Sequence, residues 1–296
     1  MTNQSSKPHV GLLALTLELY ETLVPKLRSD REQWIRKSVL PALMPVAKVR
    51  FEQAVYRRED IDKAVRELEQ AGVEVLLVVC ATYSPSQLAL PALQRTDLPI
   101  VVWNTQELYT VDNNLDGDQL SANHGVHGTQ DLCNVLLRCG VRFEYVTSHL
   151  NDPDALEQLS DVFVAASAAA RLRRTRLGLM GYPFPGMGDL GIDTTHLTAT
   201  LGCQWLNLSV EAFNQRAEAV DEEQVAKLTS EYSRSYQLAD DLIDEDFETT
   251  ARAELALRSM VAEHRLDAIS YQFLALGEDD RTKTLPFVGV SRLMAE

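Results

Sequence analysis

The feature that most constrains this chain is an alternation that begins at His9: short apolar runs take turns with amphipathic segments of helical spacing. "HVGLLALT" (His9 to Thr16) and "VEVLLVVCA" (Val73 to Ala81) are nearly continuous apolar stretches of strand length, and "PIVVWNT" and "VRFEYVT" continue the series. A strand that is apolar on both sides needs cover on both sides, which is the situation of a parallel sheet between helices. The intervening segments supply the helices. In Asp60 to Gly72 the apolar residues Ile61, Ala64, Val65 and Leu68 fall at i, i+3, i+4 and i+7, and Gly72 provides a stop. Leu132, Val135, Leu136 and Cys139 repeat the spacing before Gly140.

The rhythm restarts after a break. Asn151 to Ala170 reads as a helix ending in small residues, "RLRRTR" (Arg171 to Arg176) as a basic connector, and "LGLMG" as a new strand. A helix near Thr194 to Leu201, a strand "QWLNLSV", long polar helices and a strand "DAISYQF" follow. The pattern predicts an α/β protein of two consecutive Rossmann-like (flavodoxin-like) domains with mainly parallel sheets. The boundaries are an N-terminal domain over residues 1–171 and a central domain over residues 172–296 that stops short at its C-terminal end.

Composition narrows the function. A net charge of -15 argues against nucleic acid and anionic membranes as partners. The polar N-terminus is unlike a secretory signal, and no apolar run approaches the ~18 residues of a membrane helix. Cys80, Cys133, Cys139 and Cys203 show no CxxC spacing, which points to reduced thiols and a cytoplasmic setting.

Four segments carry candidate chemistry. In "YSPSQ", Ser84 reads as an N-cap, Pro85 as the first helical residue and Gln87 as the partner of a capping box. A strand then ends at Ala81 or Thr82, placing Thr82 and Tyr83 at a carboxyl edge, where parallel sheets bind ligands. "NHGVHG" (Asn123 to Gly128) opens the next helix with His124 and His127, two imidazoles able to hydrogen-bond hydroxyls or ligate a metal, beside glycines that would let a ligand approach the backbone. The alternative is a polar turn with one histidine at the cap. "GYPFPGMGDLGID" (Gly181 to Asp193) lacks both phosphate-loop patterns and reads as an ordered loop, with Phe184 and Met187 available for apolar contact. "DDLIDED" (Asp240 to Asp246) reads as a solvated acidic turn. Glu18, just past the first strand, is either a group facing Tyr83 and His127 or a first-turn carboxylate favoured by the helix dipole. No GxSxG elbow is present, and no cysteine stands out with a paired histidine.

Taken in order, "LELYETL", "TYSPSQL", "WNTQ", "NHGVHG", "GYPFPGM" and "SRLMAE" resemble segments of the L-arabinose isomerase and L-fucose isomerase superfamily, closer to the arabinose branch. The sequence departs from that pattern at Leu17 and Glu18, where Gln-His is usual, at Tyr83, where phenylalanine is usual, and at His124, where glutamine is usual. The resemblance implies an aldose–ketose isomerase of the L-arabinose to L-ribulose type. It implies that the glutamates and histidines holding a divalent metal, manganese in the complete enzyme, follow the Arg-Leu-Met-Ala stretch and so fall beyond Glu296. The expectation is therefore a sugar-binding portion without catalytic residues or metal of its own, inactive alone. Its candidate sugar contacts are Tyr83, His124, His127, Phe184 and Phe273. His127 matches a histidine that reaches a neighbouring subunit, so the resemblance also implies a homo-oligomer or a separate C-terminal isomerase chain as partner. A non-catalytic sugar-binding or assembly subunit is the alternative.

Overall fold

The computed structural model describes residues 7–110, 112–188 and 191–296. They divide into two compact units, Met1–Arg171 and Leu172–Glu296. In chain order the first holds β1 (His9–Leu15), α1 (Glu18–Leu23), α2 (Leu27–Trp34), a π-helical turn (Ile35–Val39), α3 (Leu40–Leu43), β2 (Lys48–Arg50), β3 (Ala54–Val55) and α4 (Arg58–Gln70). It continues with β4 (Val75–Cys80), α5 (Ser86–Arg95), β5 (Ile100–Asn104), α6 (Gly117–Ala122), α7 (Gly125–Arg138), β6 (Glu144–Thr147) and α8 (Ala155–Leu172).

The first sheet is parallel throughout, in the order β2-β1-β4-β5-β6, with β3 pairing beside the end of β1. Successive residues of its central strands feed two separate cores. Val10, Leu12, Ala14, Val75, Leu77, Val79, Val101 and Trp103 pack under Trp34, Ile35, Val39 and Leu43 on one side, together with Leu159 and Phe163 of α8. Leu13, Leu15, Leu76, Val78, Cys80, Ile100 and Val102 pack under α4, α5 and α7 on the other. The continuous apolar runs are thus explained by helices on both faces, a doubly wound sheet whose order reverses between β1 and β4. Gly72 and Gly140 close α4 and α7 with positive φ values of 72° and 69°. The short strands β2 and β3 carry too few residues for a periodic signal, and sequence pattern did not reveal them.

The second unit contains β7 (Arg176–Met180), α9 (Thr194–Leu201), β8 (Gln204–Leu208), α10 (Val210–Glu218), α11 (Glu222–Ser235) and α12 (Asp244–His264). It ends with β9 (Ala268–Tyr271), α13 (Phe273–Gly277) and α14 (Phe287–Ala295). Its sheet is also parallel, in the order β8-β7-β9. Met180, Leu208 and the half-buried Leu206 and Ile269 face Phe213, Ala256, Leu257 and Met260 of α10 and α12. A second device holds the helices. Glu254, fully buried in α12, accepts from Tyr232 (2.8 Å), Arg258 (2.8 Å) and Arg292 of α14 (3.0 Å).

Several local expectations change. Arg171 and Leu172 belong to α8 and Arg176 opens β7, so the basic connector is shorter than its run of charges. Asp244 to Asp246 form the first turn of α12, where Asp246 accepts from the amide of Ile243 (3.0 Å), so half of the acidic run is helical. A first turn of carboxylates suits the helix dipole. Among the described residues no helix is long and apolar enough to cross a membrane.

Candidate functional site

At the carboxyl edge of the first sheet the chain leaves β4 through Thr82, Tyr83 and Ser84. Helix α5 begins at Ser86, with Pro85 as its cap residue and no side-chain cap of its own. The expected capping box is not formed. The Ser86 amide donates instead to Asp131 of α7 (2.9 Å), and the buried Ser84 hydroxyl has no partner among the described residues. A carboxylate from a neighbouring helix outcompetes the local hydroxyl because a charged acceptor makes the stronger bond.

The glycines of "NHGVHG" also work differently from the expectation. A Cβ on Gly125 would lie 2.1 Å from the Cys80 carbonyl oxygen, and one on Gly128 would lie 2.8 Å from the Ser84 amide nitrogen. They let the start of α7 press its backbone against the end of β4, so their space is taken by protein and not by a ligand. This close approach brings His124 and His127 to the sheet edge.

There the imidazoles join two tyrosines. The His124 and His127 rings lie 4.5 Å apart edge-on, and the Tyr83 ring is 5.8 Å from His124. Tyr20, in the first half of α1, places its hydroxyl 3.3 Å from Nδ1 of His124. Tyr20, Tyr83 and His124 are half-buried, and His127 is exposed. Burial first, and then the neighbouring His127, lower the His124 pKa below its usual 6.5, so the ring is neutral near pH 7 and offers one donor and one acceptor. Burial and Tyr83 raise that of Tyr20, which keeps its proton. No sequence motif marks Tyr20; its one signal is a tyrosine in "LELYETL", five residues past the end of β1. Glu18 is exposed and pairs with Arg57 (2.7 Å), the surface alternative for that carboxylate.

The remaining candidates meet in the second unit. Phe184, in the loop after β7, and Phe273, in the first residue of α13 after β9, have ring centroids 5.9 Å apart. Both follow the carboxyl ends of adjacent parallel strands. Phe273 and Met187 remain 46% and 49% exposed, so this is an accessible apolar surface. Asp189 and Leu190 of the same loop lie outside the described residues.

Cation binding was tested against the side chains present. Among the described residues no three His, Cys, Asp or Glu side chains converge so as to hold a metal ion. His124 and His127 supply two nitrogens, and their ring neighbours are tyrosines in place of carboxylates. Among the described residues these two nitrogens do not by themselves fit a resident divalent cation. Burial pushes the Cys80 thiol up to about 12 and the Cys133 thiol up to about 11, so neither of these two is a ready thiolate at pH 7.

The L-arabinose isomerase N-terminal domain matches residues 18–174 and the L-arabinose isomerase central domain matches residues 191–296. The L-arabinose isomerase of Acidothermus cellulolyticus is 29% identical over 221 residues, covering 73% of this chain and 44% of that protein. Those of Mycolicibacterium smegmatis and Geobacillus kaustophilus are each 26% identical, covering 86% and 89% of this chain and 51% and 53% of their own lengths. A solved ABC-transporter periplasmic solute-binding protein from Actinobacillus succinogenes, with bound D-allose, covers 98% of this chain and 89% of its own. Its TM-score of 0.23 and 13% identity are too low to bear on fold or function. The chain spans about half the length of the curated relatives it matches. With a single domain family matching more than half of its residues, the chain belongs to the L-arabinose isomerase family.

Proposed function

We propose that these 296 residues form the sugar-binding portion of an L-arabinose-type aldose–ketose isomerase and do not interconvert sugars by themselves. The observation that carries this reading is the Tyr20–Tyr83–His124–His127 cluster at a parallel sheet's carboxyl edge, inside the stretch matched by the family's N-terminal domain. A pentose is a chain of hydroxyls on a short carbon backbone. The neutral His124 imidazole and the two phenols both donate to and accept from hydroxyls. The Tyr20 contact at Nδ1 holds the His124 ring in place. Separately, within the second unit, the Phe184–Phe273 pair offers its own apolar surface for C–H groups of a sugar. His127, being exposed, is free to contact a second copy of the chain, so a homo-oligomer, or association with a C-terminal isomerase chain, belongs to the same reading.

Moving a carbonyl between C1 and C2 requires a proton shuttle and a cation to stabilise the oxyanion. Manganese, the cation the family resemblance implies, would in this reading be held by residues other than the described ones. The test is calorimetry against a pentose panel without metal, followed by a turnover assay of the same sample with manganese and L-arabinose. Saturable binding that weakens about tenfold in His127→Ala, with no turnover, is expected. Turnover above the metal-free blank would refute the inactivity. Absence of binding to every pentose would refute the sugar site.

A further inference from the structure

On the α2 face of the first sheet, the same edge carries a set of buried polar groups that the histidine cluster does not use. Arg31 is 5% exposed, yet its Nε and Nη1 have no hydrogen-bond partner among the described residues. The same is true of the Oγ1 atoms of Thr16, 2% exposed, and Thr105, 8% exposed. Register brings them together. Leu15 pairs with Cys80 and Val78 with Val102, so continuing the two ladders sets Thr16, Ala81 and Thr105 side by side one residue beyond their strands. Thr16 has the parity of Leu12 and Ala14, and Thr105 that of Val101 and Trp103, so all three project toward the core that Trp34 and Ile35 cover. Arg31 precedes Trp34 by one helical turn and therefore sits over this edge. Its Nη2 donates to Glu107, two residues beyond Thr105. Ala81, between the two threonines, has only a methyl group.

We propose that Arg31, Thr16 and Thr105 form a binding site for a small oxyanion at the point where the sheet order reverses. The unmade hydrogen-bonding capacity is dominated by donors: the Nε–H and two N–H groups on Nη1, with two hydroxyls that donate as readily as they accept. Buried donors of this kind are costly to leave unpaired, and a charged acceptor satisfies several at once. Glu107, its side chain 42% exposed, takes part of the guanidinium from the solvent side and leaves the inner N–H groups for the ligand. The crevice outside the strand ends at a switch point is where α/β sheets bind ligands. This site lies wholly in the first unit, does not depend on the sugar reading, and is tested without sugar.

The experiment is calorimetry of the full chain with inorganic phosphate and, separately, acetate, using chloride at matched ionic strength as the blank. Saturable binding of one or both anions is expected, with a raised Tm. Arg31→Gln should abolish it, Thr16→Val with Thr105→Val should weaken it by about a hundredfold, and Glu107→Gln, which removes the competing carboxylate, should tighten it several-fold. If Arg31→Gln fails to fold, the paired threonine variant, which keeps volume, decides the matter. No saturable binding to the wild-type chain overturns the proposal, because buried water would then satisfy these donors. Wild-type affinity in the threonine variant overturns it as well.

Discussion

The two units build the same kind of sheet in different ways. In the first, every residue of β4 is buried, and so is every residue of β1 except His9. In the second, each strand alternates: Met180 and Leu208 are buried, while Leu177, Leu179 and Trp205 on the opposite face are only half-buried. The first sheet is held by apolar packing on both sides. The second is held on one side by apolar packing, and its helices are joined by a buried carboxylate that gathers Tyr232, Arg258 and Arg292. A shared topology therefore does not fix where stability resides.

The largest test of that contrast compares two glycines. Gly125→Ala sets a methyl against the Cys80 carbonyl, and backbone cannot move aside, so a loss of about 4 kcal/mol or outright failure to fold is expected. Gly178→Ala, in β7, meets the Cδ1 atoms of Leu208 and Leu266 at 2.8 Å, and these side-chain ends can shift; about 1–2 kcal/mol is expected. Equal costs in urea unfolding would break the comparison. Next, Glu254→Gln keeps the shape but removes the buried counter-charge of two arginines, Arg258 and Arg292. It should cost about 3 kcal/mol and loosen amide exchange in α12 and α14 while leaving the first sheet unchanged. The same readout sharpens the sheet comparison: Leu77→Ala should cost about 3 kcal/mol and Leu179→Ala about 1 kcal/mol.

The smallest effect is one of pH. Burial opposes ionisation of Glu74, but hydrogen bonds from Arg171, the His9 amide and Ser167 outweigh it and hold the carboxyl down at about 2, against the usual 4.5. A depressed carboxylate stabilises the fold fully above its unfolded value and loses that contribution as pH falls from 4.5 toward about 2. The first unit should therefore weaken by about 1–2 kcal/mol across this window, and Glu74→Gln should remove that dependence.

The same contrast explains what could be read from sequence. The runs around Leu77 and Val102 are apolar on both faces, so strand, parallel pairing and helical cover follow from one pattern. The families of Ile61 and Leu132 mark their helices for the same reason. In contrast, Ser84 has every local attribute of a helix cap and is displaced by Asp131, 47 residues away in the chain. A contact of that range leaves no periodic trace. "NHGVHG" was legible as the place, since His124 and His127 do meet Tyr83, but the purpose of its glycines was not, because it depends on the Cys80 carbonyl. Tyr20 and Arg31 were invisible for a related reason. One is a tyrosine in a short helix and the other an arginine in a polar one, and only folding sets them against His124 and Glu107.

The central claim is that the histidine cluster receives a sugar without a metal. It is tested most directly by titrating the intact chain with L-arabinose in metal-free buffer while following the ring resonances of His124 and His127 by NMR. Saturable shifts of both rings, lost in Tyr20→Phe for His124 and retained for His127, are the predicted result. Rings that stay unmoved while L-arabinose saturates other residues, or that respond only once manganese is added, would contradict it.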